Sequence, residues 1–225
     1  MQIRDRFPPG ESQLARYAGV FNCAEINSSF HQPHRKTTYE RWAATVPDDF
    51  RFSVKIPKEI THTKQCNDCY DDLARFLEET AALGLKRSVL LMQFPPKFEY
   101  DGARMEAFFS ELRSLYEGFA VCEPRNASWF ADDASALLQA FRIGRVVADP
   151  ALNEGASEAG GWRGITYFRL HGAPRIYYSR YSDEVVAAVA ERLSQDAARE
   201  RWCIFDNTAS GAATENALDL ARIAG

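Results

Sequence analysis

Residues 86–125 read "KRSVLLMQFPPKFEYDGARMEAFFSELRSLYEGFAVCEPR". The first run, Lys86 to Phe94, and the last, Phe119 to Arg125, are short, β-rich and apolar on both faces, as strands covered from two sides must be. Between them, Ala103 to Tyr116 places apolar residues at helical spacing. Asp101 stands just ahead of that segment, where a short side chain can accept a free N–H of the first turn.

The same order continues outward in both directions. Strands are expected at Gly19 to Asn27, Phe50 to Ile56, Ile143 to Asp149, Gly164 to His171 and Arg201 to Asn207, which with the two above makes seven. Helices are expected at Thr38 to Ala44, Asp71 to Leu83, Asp133 to Phe141, Asp183 to Leu193 (with Ser182 at its start) and Ala213 to Ala224. Strand starts recur about every 30 residues, the spacing of a (β/α)8 barrel. No glycine-rich dinucleotide fingerprint follows the first strand, which counts against a Rossmann arrangement. The expected fold is therefore α/β, a TIM-type (β/α) barrel. A helical segment, Glu11 to Ala18, precedes the first clear strand, so one strand of eight is lacking or shortened. No linker rich in Pro, Gly or Ser divides the chain, and residues 1–225 are expected to form a single domain; "NEGASEAGG", 153–161, is expected to be a flexible loop.

Composition narrows the class. The 225 residues are 46% apolar and 26% charged, with a net charge of -4, an ordinary globular balance. That charge gives no blanket attraction to nucleic acid, so an anion site must be a local cluster of bases. No apolar run is long enough to cross a bilayer, and the opening "MQIRDRFPPGES" has no signal-like stretch, which points to a cytoplasmic protein with no membrane partner. Five cysteines is an odd number, which argues against a disulfide framework. Cys66 and Cys69 form one isolated C-x-x-C pair, a weak redox or metal signal. Cys23, Cys122 and Cys203 lie within strands and read as small apolar residues.

In a parallel barrel, sites form at the carboxyl ends of strands, and residues two apart point the same way. By that rule Glu25 and Asn27, Lys55, Gln93, Glu123 and Arg125, Arg169 and His171, and Asp206 and Asn207 gather at one mouth. Buried charges without partners cost several kcal/mol, so these must pair with each other or with a ligand. Any one of them could be part of a structural ion pair; together they include more chemistry than cohesion requires. His171, followed by Gly172, could serve as acid or base near neutral pH and approach a ligand closely. Trp129 is expected at the pocket wall, although an aromatic after a strand is more often core; His62 reads equally well as a loop-capping or a functional residue. Arg125, Arg169, Lys55 and His171 supply positive charge, and "NTASGAATENAL", 207–218, leads into a helix start. A phosphate or carboxylate is therefore expected between Arg169 and Ser210 with Gly211.

The motifs "CAEINSSF", "FRFSVKIPKEITH", "LLMQFPPKF", "EPRNASWF", "YFRLHG", "YYSRYS" and "FDNTASGAATENAL", in this order, resemble the domain of unknown function 72 (YecE-like) family over nearly the whole chain. The resemblance implies a TIM-type barrel and no settled activity. Members usually begin with a strand carrying Gly-Thr-Ser-Gly-Trp, and this sequence starts after that point, so the contribution of that strand is expected to be missing or the start displaced. His31, Asn126 and Asp206 stand where the family usually has tyrosine, histidine and asparagine.

Two functions follow as expectations. One is a phosphoester hydrolase using Glu25, Glu123 and His171, the carboxylates acting as acid and base or as ligands of a divalent metal. The other is a non-catalytic module that binds a phosphorylated metabolite or a nucleic-acid end. Four histidines with no H-x-x-x-H or H-x-E spacing make a zinc cluster improbable. An unpaired edge beside the missing strand would be covered by a second copy of the chain or by residues 1–10.

Overall fold

The computed structural model describes residues 3–224. In chain order the strands are β1 (Cys23–Ile26), β2 (Arg51–Lys55), β3 (Arg87–Phe94), β4 (Phe119–Pro124), β5 (Ile143–Arg145), β6 (Val147–Asp149), β7 (Gly160–Gly161), β8 (Ile165–Leu170) and β9 (Glu200–Phe205). The helices are α1 (Gln13–Ala18), α2 (Lys36–Thr45), α3 (Tyr70–Thr80), α4 (Gly102–Leu115), α5 (Asp132–Ala140), α6 (Asp183–Gln195) and α7 (Ala212–Ala224). Strands β1 to β5 lie side by side in parallel, and β7 adds to β5 in the opposite sense. A second parallel sheet has the order β6, β8, β9. The α/β alternation is as expected, and Asp101 caps α4 by accepting the Arg104 N–H at 3.1 Å.

Side-chain parity builds three packed layers from these strands. Leu90, Met92 and Phe94 of β3 face outward onto Phe108, Phe109 and Leu112 of α4. Phe168, Leu170 and Phe205 do the same against α6 and α7. The inward set, Val89, Leu91, Val121, Val146, Ile165, Tyr167 and Trp202, comes from both sheets and forms a common interior. Each large side chain so buried contributes about 1.5–3 kcal/mol. Above this apolar layer, toward the carboxyl ends, the same inward positions turn polar.

The expected strand from Ile143 to Asp149 is shared between the sheets. Val146 N–H still donates to Cys122 O at 2.9 Å, while Val147 already pairs with Phe168 of β8. Alternation is unbroken through this junction, so Val146 faces the interior and Val147 the helices. Gly144 allows the close approach there, because a Cβ would stand 2.8 Å from Ile165 Cγ2. The loop expected at 153–161 ends in order: Gly160 and Gly161 are the β7 ladder.

Among the described residues, no ladder joins β1 to β9. Between them runs an open groove of about 1490 Å³, lined by residues such as Tyr17, Phe21, Ala190, Ile204 and Leu220. No helix of the described residues is long and apolar enough to cross a membrane. All five cysteines are unpaired.

Candidate active site

Arg169 lies on β8 with its side chain only 1% exposed, and every arm of its guanidinium is engaged. Nε and Nη2 donate to Glu25 on β1, at 2.9 and 2.7 Å. Nη1 donates to Glu123 Oε2 on β4 at 2.7 Å. Nη2 also reaches Asp206 Oδ2, just beyond β9, at 3.2 Å and Asn27 Oδ1 at 3.4 Å. A planar fork with fixed donors suits this bidentate and bridging geometry, which a lysine could not reproduce. Tyr167, two residues earlier on the same face, donates its hydroxyl to Glu25 Oε2 at 2.8 Å and is hydrogen-bonded to Ser53 Oγ at 2.9 Å.

Glu123 is the second hub. Its Oε1 accepts from Gln93 Nε2 at 3.1 Å, from Arg125 Nη2 at 3.2 Å, and lies 3.2 Å from His171 Nε2. Burial alone would push this carboxyl up, but Arg169, then His171 and Arg125, hold it well below the ordinary carboxylate range. The other ring nitrogen of His171, Nδ1, is 3.0 Å from Asp206 Oδ2. Burial disfavours a charged imidazole; the two flanking carboxylates outweigh it and raise the His171 pKa. Asp206 in turn is lowered against its own burial by His171 and Arg169. With a carboxylate at each nitrogen, the imidazolium can donate both its N–H groups.

Lys55 at the end of β2 is treated differently. It is 6% exposed, and its Nζ lies over the Phe30 ring, 4.1 Å from the centroid; among the described residues no carboxylate stands at salt-bridge distance. Burial first, and the neighbouring Arg169 second, lower its pKa to about 8 against the pull of Glu25, Glu123 and Asp206. The His62 ring also packs on Phe30, edge to face, with ring centroids 5.0 Å apart. Its pKa falls to about 4 through burial and the charges of Lys55, Lys58 and Arg125, so those three cations share one neighbourhood. Thr61 Oγ1 binds His62 Nδ1 at 2.9 Å.

The structure thus brings together Glu25, Asn27, Lys55, Gln93, Glu123, Arg125, Arg169 and His171. It does not bring in the remaining expected residues. Trp129 is wholly buried against Phe94, Phe98 and Tyr100, with its indole N–H donating to Phe98 O; it is core and not pocket wall. Asn207 points to the helix side, donating to Ser179 O and Asn216 Oδ1. Ser210 donates to Tyr178 O, and Gly211 turns the chain with φ +81°. The seat expected between Arg169 and this loop is not formed, because the Arg169 donors are already spent on Glu25, Glu123 and Asp206. Gly172 does not admit a ligand either: its open side faces Ser179 O, which a Cβ would meet at 2.9 Å.

Asp206, expected at the mouth, is found there as the partner of His171, and two participants lie outside the expected set, Tyr167 and Ser53. The signal for the last two was available, since each lies two residues before a selected residue and so shares its face. A divalent metal between Glu25 and Glu123 does not fit this donor set. The Arg169 guanidinium fills the space between those carboxylates, and among the described residues no group of three or more His, Cys, Asp or Glu is arranged to hold a metal ion. Cys66 and Cys69 are both buried, and burial pushes both thiols up, Cys69 to about 11, away from the reactive thiolate range. A cavity of about 30 Å³, roughly one water, abuts Glu123, Arg125 and His171. The large groove reaches the cluster from the other side, at Glu25, Asn27 and Asp206.

Comparison with known proteins places these features in a family. A family model described as "Protein of unknown function DUF72" matches residues 4–225. The UPF0759 protein YecE of Escherichia coli K12 is 32% identical over 124 residues, which is 54% of this chain and 44% of that protein. The aligned chain thus spans less than half the length of that relative. The UPF0759 protein YunF of Bacillus subtilis is 21% identical across 95% of this chain and 88% of its own length. The crystal structure of the DUF72 family protein EF0366 from Enterococcus faecalis superposes with a TM-score of 0.81 at 23% identity, covering 95% of this chain and 88% of that one.

Proposed function

The chain belongs to the DUF72 family of proteins of unknown function, and from that premise we propose that it is an enzyme acting on a small anionic compound, a phosphoester hydrolase. The observation that carries this reading is the pairing of a cationic rim with a buried acid–base network. Among the described residues Lys55 has no carboxylate partner, and Arg125 is the more exposed arginine of the cluster, with 24% of its side chain accessible. A phosphate would meet these two cations first. Beneath them His171, gripped by Glu123 and Asp206, is the group able, in its protonated form, to give a proton to a leaving oxygen. Glu25, locked onto Arg169, orients that guanidinium and does not move protons itself in this scheme.

One observation favours a second reading, binding without turnover. Glu25 and Glu123 are both consumed by Arg169, which leaves few groups free for chemistry. In that case a phosphorylated metabolite or nucleic-acid end would be held and released unchanged. A phosphate-release screen over phosphoesters, run beside calorimetry with inorganic phosphate, separates the two. Turnover abolished by His171→Asn supports the hydrolase; phosphate binding lost in Arg125→Ala without turnover supports the binding module. Neither binding nor turnover in folded protein rejects both.

The parallel order of β1 to β5 and the second parallel sheet support a TIM-type barrel, one domain over residues 1–225, open between β1 and β9. A second copy of the chain covering that edge completes the proposal. The free cysteines accord with a cytoplasmic setting.

A further inference from the structure

We propose that Lys55 is a nucleophilic lysine that condenses with the carbonyl group of a small anionic aldehyde or ketone to form an imine. This goes beyond the phosphoester reading and does not depend on it.

The geometry supplies what such a lysine requires. Its position is the carboxyl end of a parallel strand, beside the buried acid–base network and not on the outer surface. The stem is enclosed, yet among the described residues Nζ is not tied to a carboxylate; it rests on the face of Phe30. A lysine kept only for charge balance would be expected to contact Glu25, Glu123 or Asp206 directly, as Arg169 does. Here Arg169 has taken all three, so the ammonium is enclosed next to a second cation. Desolvation and a neighbouring cation are the two ways in which proteins make a lysine amine nucleophilic near neutral pH. Both act on Lys55, and they bring its pKa to about 8. The groups around it are Arg169, Glu25, Glu123, Asp206 and, also packed on Phe30, His62. Arg125, held at the same mouth by Glu123, provides charge for an anionic substituent on the carbonyl compound.

The step balances without an added redox partner. The Nζ lone pair of the neutral amine attacks the carbonyl carbon, and the C=O π pair moves to oxygen, which takes up a proton as Nζ gives one up. The carbinolamine loses that oxygen as water once it is protonated, leaving a C=N bond to Nζ that is itself protonated. Net consumption is one neutral amine, one carbonyl and one proton; one water is released.

The test uses the intact protein with glyoxylate as probe and cyanoborohydride to trap the imine, followed by peptide mapping by mass spectrometry. In wild-type protein at pH 7.5 Lys55 is expected to label roughly tenfold or more faster than Lys58 and Lys97, because its neutral fraction is far larger than that of an ordinary lysine. The rate at Lys55 is expected to level off above about pH 8, whereas the other lysines continue to gain to beyond pH 10. Lys55→Arg removes the fast site and leaves the slow ones. Labelling of Lys55 no faster than Lys58 and Lys97 in folded wild-type protein overturns the proposal, irrespective of any result with phosphoesters. So does a rate at Lys55 that keeps rising in parallel with theirs.

Discussion

Arg169 is the residue whose loss exposes the logic of the site. Replacing it with methionine keeps volume but leaves Glu25, Glu123 and Asp206 facing one another in a buried place. Removing one partner of a buried charged network costs about 3–5 kcal/mol, so urea unfolding of Arg169→Met is expected to show a loss of that order. Glu25→Gln, which keeps one acceptor oxygen for Tyr167 and Arg169 Nε and sets an amide NH2 against Arg169 Nη2, is expected to lose less. His171 carries a pH signature. Its folded pKa is raised above the ordinary 6.5, so its contribution is full below pH 6.5 and is lost as pH rises through the folded value. Glu123 and Asp206 are lowered; their contributions are present above the ordinary values of 4.5 and 3.8 and are lost as pH falls through the folded ones. The difference in melting temperature between wild type and His171→Gln is therefore expected to be greatest near pH 5.5 and to shrink toward alkaline pH. The two-residue rule in the sequence found most of this cluster. It could not reveal that Arg169 would be satisfied internally and Lys55 left without an ion-pair partner, because those outcomes depend on which of several carboxylates each cation reaches in space.

At the level of elements, parity and caps carried most of the information. The strand and helix segments emerge within a few residues of their expected places, for example α4 behind Asp101 and β4 ahead of Arg125. What the sequence could not display was the passage of one extended segment, 143–149, from one sheet to the other, since the alternation of its side chains does not change there. Trp129 shows a second limit: an aromatic after a strand has the same composition whether it roofs a pocket or, as here, stacks on Phe94 with ring centroids 4.6 Å apart. The turn after β8 offers an element-scale prediction. Gly172 has φ +97°, and a Cβ there would press on Ser179 O and Asn207 Cβ. Gly172→Ala is expected to cost about 1–3 kcal/mol in thermal or denaturant unfolding, and to displace the loop through Tyr181, whose hydroxyl accepts the Gly172 N–H at 2.8 Å.

For the whole molecule, the groove between β1 and β9 leaves strand edges without partners among the described residues, a configuration that proteins cover. Light scattering coupled to size exclusion is expected to return the mass of a dimer. Leu220→Glu, which puts a charge in the groove wall, is expected to shift the population to monomer; wild-type monomer at tens of micromolar would remove the second-copy reading. The Arg169 fork has a consequence on this scale too. It ties β8 to β1 and β4, so neither sheet can detach without stranding charge in a nonpolar interior. Amide protons at the centres of β4 and β8 should consequently exchange with solvent deuterium at one shared opening free energy, as a single cooperative unit, while those of β7 and the open edge of β9 trade earlier and independently.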